Sequence, residues 1–144
     1  MSATADSSLI VPLYLQEPSS ALADAACLSV APPIRLSEWH RVEVASAFQR
    51  AVKTGRITDA QAALLWQDFT SDIASGRFEI VAVDHAAVLA RALMLTQKHT
   101  ATLGARTLDL IHVATALEIG VTDFLSLDNR QRQAATAEGL NVLP

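Results

Sequence analysis

The stretch TLDLIHVATALEIGVTDFLSLDN, from Thr107 to Asn129, decides the fold class. Thr107 is placed to cap a helix running to Ile119, and Gly120 to stop it. A short apolar strand, Phe124 to Leu127, follows at once, and Asp128 opens another helix from Asn129 to Glu138. The same rhythm extends in both directions. Upstream, short strands are expected at Ala3–Asp6, Ile34–Leu36 and Phe78–Val83, and downstream at Asn141–Leu143. Between them lie an apolar stretch over Leu9–Leu15 and helices over Ala21–Leu28, Glu38–Lys53, Thr58–Ala74 and Asp84–Thr102. Short apolar strands alternating with helices predict an α/β domain whose parallel sheet is buried on both faces. Residues 1–144 read as one domain, without an internal repeat or a linker.

Composition agrees and removes several classes. Half of the 144 residues are hydrophobic (51%), which excludes a disordered chain, and five Gly with five Pro exclude a collagen-like or low-complexity one. Eleven Lys and Arg against fifteen Asp and Glu leave a net charge of -4, so no global basic field advertises a nucleic acid. Cys27 is the only cysteine, so neither an intrachain disulfide nor a Cys-based zinc site is expected. No apolar run approaches the roughly 20 residues that span a bilayer. The residues before Arg35 carry no Lys or Arg with which to begin a secretory leader. The expectation is a soluble cytoplasmic protein with no membrane partner.

In a parallel sheet, sites form outside the carboxyl ends of the strands, at the point where the winding reverses. That rule selects among the fifteen acids. Asp6 ends the first expected strand and Asp128 follows the fourth, while Asp109 lies in the first turn of a helix. Each has a plain alternative: Asp6 as a turn residue, Asp109 and Asp128 as complements to helix N-termini. Glu43 is harder to set aside. It stands within RVEVASAF (Arg41–Phe48), with apolar residues on nearly every side, and a carboxylate removed from water needs a partner or a metal.

Taken together, four segments resemble the PIN-domain ribonucleases, and more closely the toxins of bacterial VapBC-type toxin–antitoxin pairs. They are ADSSLIV with LYLQEP (Ala5–Pro18), VEVASA (Val42–Ala47), RTLDLIHVATAL (Arg106–Leu117) and GVTDFLSLDNR (Gly120–Arg130). The likeness covers essentially the whole chain, in order. It departs at Ser126, where Thr is usual, and at Asn129, where a basic residue is frequent. It implies a PIN-like three-layer α/β/α domain with a five-stranded parallel sheet in the order 3-2-1-4-5, with Asp6, Glu43, Asp109 and Asp128 converging at the switch point.

The resemblance further implies that these four are both the catalytic residues and the metal ligands of an endoribonuclease. Crowded carboxylates repel unless a cation neutralises them, and oxygen-only donors suit Mg²⁺ or Mn²⁺. Such an ion would help ionise the attacking water and stabilise charge on the phosphate, leaving a 5′-phosphate and a 3′-hydroxyl. Counting the four acids as neutralised by two divalent ions moves the formal charge from -4 to 0, so acidity does not exclude RNA. Ser7 and Ser8 are candidates for contact with metal-bound water or phosphate, and Ser126 for orienting Asp6 or Asp128. Arg106 and Arg130, with Arg132, are candidates for a phosphate-binding rim. Asp123 begins its strand, roughly 13 Å from Asp128, and receives no metal. A cognate antitoxin and a homodimer are the implied protein partners, an apolar surface around Leu64, Leu65, Trp66 and Phe69 serving either the dimer or the core.

Other readings fail on specific residues. A receiver domain needs adjacent acids near its first strand and a late lysine, but the only lysines are Lys53 and Lys98. The P-loop pattern is absent, and Ser8 breaks the Asp-x-Asp start of haloacid dehalogenase-like phosphatases. No two of His40, His85, His99 and His112 have zinc-protease spacing, and His112 reads as packing against or orienting a neighbour. The remaining rival is a PIN-like scaffold or protein-binding module without catalysis.

Overall fold

The computed structural model describes residues 1–144. Five short parallel strands form one sheet: β1 (Ala3–Ala5), β2 (Ile34–Leu36), β3 (Phe78–Ile80), β4 (Asp123–Leu125) and β5 (Asn141–Leu143). Their order is β3-β2-β1-β4-β5, the order that the family resemblance implies. Ala3 faces Ile34 on one side and Asp123 on the other, so β1 is the middle strand and β4 its neighbour across the reversal of winding.

Seven helices cover the sheet: α1 (Ser7–Ile10), α2 (Ser20–Leu28), α3 (Glu38–Lys53), α4 (Asp59–Ala74), α5 (His85–Leu103), α6 (Thr107–Glu118) and α7 (Asn129–Ala137). Alternate strand residues point to opposite faces, and two cores result. Ala3, Ala5 and Leu125 pack with α1 to α4 around Phe48, Phe69 and Phe78. Phe124 packs on the other face with α5, α6 and α7. Every residue of α6 from Leu110 to Ala116 is buried, which makes it a rigid internal mount.

Phe69 is fully buried, and Leu65 and Trp66 pack against the same core, so most of the apolar surface expected on α4 is interior. Leu64 remains exposed.

Local chemistry explains where elements begin and stop. Asp84 caps α5 by accepting from the Ala87 N–H, and Thr58 and Gln61 cap α4 reciprocally. The residue before α6 is Arg106, which is extended, and Thr107 is already helical, one position from the expected cap. The apolar stretch expected over Leu9–Leu15 divides into α1 and a 3₁₀ turn, Val11–Leu13, at Pro12, which has no N–H to continue a helix. The strand expected over Phe78–Val83 stops at Ile80, because its partner β2 ends at Leu36: the Leu36 carbonyl takes the Val81 N–H at 2.8 Å, and beyond that bond Val83 has no strand to pair with. Asp123 begins β4, as expected, and the strand ends at Leu125 rather than Leu127, since the Leu127 N–H bonds to the Ser8 hydroxyl instead.

Asp123 is buried at the amino end of β4, away from Asp128, and accepts a 2.7 Å hydrogen bond from the Asn141 side chain. Its role in the structure is to join β4 to β5. Replacing it with Ala removes that acceptor and is expected to cost about 1–2 kcal/mol of stability in urea denaturation. Asp123→Asn keeps an acceptor oxygen and should cost less. Equal losses for the two variants would contradict this role.

Candidate active site at the sheet switch point

Asp6 follows β1 directly, and none of it is exposed to solvent. Its backbone N–H continues the ladder to the Leu125 carbonyl (3.0 Å), which places the carboxylate at the carboxyl end of β4 as well. The Ser8 hydroxyl lies 2.7 and 2.9 Å from the two carboxylate oxygens, the Ser126 hydroxyl donates to one of them at 3.0 Å, and the Leu9 N–H approaches the other at 3.3 Å. These serines also tie the two strand ends together. Ser8 Oγ accepts from the Leu127 N–H at 2.9 Å, and Ser126 Oγ accepts from the Asp128 N–H at 3.0 Å. Ser126 thus links Asp6 with Asp128, and Ser8 is directed at Asp6.

Burial raises the Asp6 carboxyl from 3.8 to about 6; the His112 charge and the Ser8 and Ser126 hydrogen bonds hold it down, and the nearby Asp128 adds to the rise.

Glu43 projects from α3 and is half-buried. One carboxylate oxygen accepts from the Ser7 hydroxyl at 3.1 Å, and the other pairs with His112 Nε2. The partner required by a carboxylate on an apolar helix is therefore a histidine. Asp109 and His112 are three residues apart on α6, so they share one helix face. Burial alone would lower the His112 pKa, yet it is raised, because the hydrogen bond and charge of Glu43, with Asp6 and Asp109 nearby, outweigh desolvation. The His112 ring lies 4.7 Å, centre to centre, from that of His40. His40 is fully buried, and its pKa is lowered first by desolvation and then by the neighbouring histidine. Its Nδ1 accepts from the Ser37 N–H at 2.9 Å, closing the start of α3.

Asp109 and Asp128 carry out the helix-capping work that was their plain alternative. Asp109 accepts from the Arg106 N–H at 2.8 Å, and Asp128 from the N–H groups of Arg130 and Gln131 at 2.9 and 3.0 Å. Gln131 joins the two: it is buried, and its amide donates to Asp109 at 3.3 Å. Gln131 was not among the residues expected at the site, although its position three residues after a capping Asp is a signal.

Asp6, Glu43, Asp109 and Asp128 all line one open cleft of about 1040 Å³, with Ser7, Ser8 and Arg106. Arg130 is outside this lining. Arg132 is engaged elsewhere, donating to the carbonyls of Ser126 and Pro144 at 2.8 Å each. In their place the cleft is lined by Arg50 and Arg56, which the sequence analysis missed. Arg50 is two helical turns from Glu43 on α3, and that spacing was the available signal.

The donor set suits a hard cation: four carboxylates and serine hydroxyls, all oxygen, around a buried acid whose ionisation is penalised. In the present arrangement each carboxylate is engaged by protein donors, and no three Asp, Glu, His or Cys side chains are gathered closely enough to enclose an ion.

No protein-family model matches the chain. No curated protein matches it either. Among solved structures it is similar to the crystal structure of PAE2754 from Pyrobaculum aerophilum, at 13% identity and a TM-score of 0.64 over 99% of this chain and 83% of that one. At that identity the likeness concerns the fold.

The raised Asp6 carboxyl has a consequence for metal-free protein. A carboxyl that holds its proton more tightly when folded favours the folded state most below its unfolded value, 3.8, and that advantage is lost as pH rises through about 6. At about 1.4 kcal/mol per tenfold change in proton affinity, the loss approaches about 3 kcal/mol. In urea denaturation with EDTA, Asp6→Asn should therefore gain on wild type by up to that amount between pH 4 and pH 7.5. Parallel stability profiles for the two proteins would show that the Asp6 carboxyl is not raised.

Proposed function

We propose that the protein is a divalent-metal-dependent endoribonuclease of PIN-like, VapC-toxin type. The observation that carries this reading is the meeting of Asp6, Glu43, Asp109 and Asp128 along one cleft at the β1/β4 switch point.

Asp6, Glu43, Asp109 and Asp128 would hold Mg²⁺ or Mn²⁺, which when bound supplies an ionised water and stabilises negative charge on the phosphate under attack. The chain's own residues organise that centre. Ser8 and Ser126 fix both oxygens of Asp6, so the buried carboxylate cannot rotate away from the cleft. His112 holds one oxygen of Glu43 and leaves the other beside Ser7, on the cleft side. Gln131 spaces Asp109 from Asp128. The mount is stiff, since α6 is buried along most of its length and cannot shift without opening the core.

A small antitoxin protein covering the cleft and a homodimeric state belong to the same proposal.

One observation favours the second reading, a PIN-like scaffold without catalysis. The capping bonds of Asp109 and Asp128 give both residues a sufficient structural reason to be acidic. Incubation with total RNA separates the two. The nuclease reading predicts Mg²⁺- or Mn²⁺-dependent cleavage that EDTA abolishes. It also predicts losses of about a hundredfold or more for Asp6→Asn, Glu43→Gln and Asp109→Asn, each of which keeps the size and most hydrogen bonds of the original side chain. Absence of any Asp109-dependent cleavage would favour the scaffold.

A further inference from the structure

The cleft is larger than a metal centre needs. Beyond Glu43 it follows α3 past Ser46 and Ala47 to Arg50, Ala51 and Thr54, and reaches Arg56 beyond the helix end. At 1.5 Å per residue, Arg50 stands about 10 Å along the helix axis from Glu43. That is too far for the two to pair. Arg50 makes no ion pair with any carboxylate, and its guanidinium donates to the Ser46 hydroxyl at 2.7 Å, on the same wall of the cleft. Arg56 lies farther out, exposed, in a 3.7 Å ion pair with Glu17, which also lines the cleft. Arg106, whose backbone N–H bonds to Asp109, also lines the cleft, and its guanidinium pairs with no carboxylate. The cleft thus carries arginines as well as carboxylates, and Arg50 is a cation on the α3 wall that no acid neutralises.

We infer that this cleft is a track for a single-stranded RNA, in which Arg50, and Arg56 beyond it, hold backbone phosphates on the α3 side of the carboxylate centre. The inference rests on the nuclease reading for what happens at the centre, but the track itself depends only on the arginines. A stacked strand advances about 3.4 Å per nucleotide, so about 10 Å corresponds to a phosphate some two or three nucleotides from the cut. A mononucleotide or a dinucleotide held at the carboxylates does not reach Arg50. The planar, permanently charged fork of arginine suits phosphate oxygens, and its hydrogen bond to Ser46 holds the stem in place. Contacts of this kind position a strand without reading its bases.

The test is a salt titration of binding, by fluorescence anisotropy in Mg²⁺, with a labelled single-stranded 12-nucleotide RNA and a labelled dinucleotide. It is done in the full chain carrying Asp109→Asn, so that the RNA is not turned over. Adding Arg50→Gln should weaken 12-mer binding about tenfold and make the slope of log K against log salt shallower by about 0.7, the share of one phosphate contact. Dinucleotide binding should stay the same, and Arg50→Lys should recover most of the loss. Because Arg50 is exposed and bonds only to Ser46, an unchanged thermal melt is expected for both variants.

Equal 12-mer affinity with and without Arg50 overturns the proposal, as does an equal loss on the dinucleotide, or failure of the parent to bind the 12-mer. Wild-type cleavage is scored separately. Arg50-dependent binding without any wild-type cleavage would end the nuclease reading and leave the track standing.

Discussion

A carboxylate sits at the end of the middle strand with no surface open to water, and the surrounding structure is arranged around that cost. Leaving Asp6 ionised and unpartnered there would be expensive by several kcal/mol. Two serine hydroxyls and one backbone N–H meet its oxygens, and His112 contributes a favourable charge, yet the carboxyl still rises to about 6. The serines that hold it are the same ones that close the turns after β1 and β4. The cost of burial is thus tied to the joint between the two strands where the sheet reverses its winding.

The neighbouring parts follow from keeping that joint stiff. α6 is buried on every side through its middle, so it stays inside and carries Asp109 and His112 on one face. His112 meets Glu43 across from α3, and His40 packs against its ring, joining the start of α3 to the same cluster. Three of the four acids are therefore supported by a group on another element, Asp6 by Ser126, Glu43 by His112 and Asp109 by Gln131, while Asp128 is held by N–H groups of the helix it caps. A cleft built in this way keeps its charged groups in place without needing a cation to hold the fold together. That property suits an enzyme that exchanges its metal, and equally a scaffold that has no use for one.

How much was legible in the sequence differs between strands and side chains. The parallel sheet followed from short apolar strands alternating with capped helices, and its strand order from the family likeness of four segments alone. Asp84 and Asp128 cap helices where their positions suggested, because capping is decided within four residues. Strand ends were less legible, since they depend on a partner far away in the chain: β3 stops where β2 stops, and β4 stops where Ser8 takes the Leu127 N–H. The pairing of Glu43 with His112 spans 69 residues, and nothing local to either residue announces it. Arg50 escaped notice for a different reason. Adjacency in sequence to an acid does not fix a place in the cleft: two turns of α3 bring a distant arginine into it, and the chain direction after Asp128 carries Arg130 and Arg132 away.

Uptake of a divalent cation by the buried acid and its three companions is what the proposed activity requires first. Calorimetric titration of Mn²⁺ into wild type and into Asp6→Asn tests it without reference to any substrate. A saturable heat in wild type that is lost or greatly reduced in the variant is the predicted result. Equal heats for the two proteins, or no saturable heat in wild type, would contradict it.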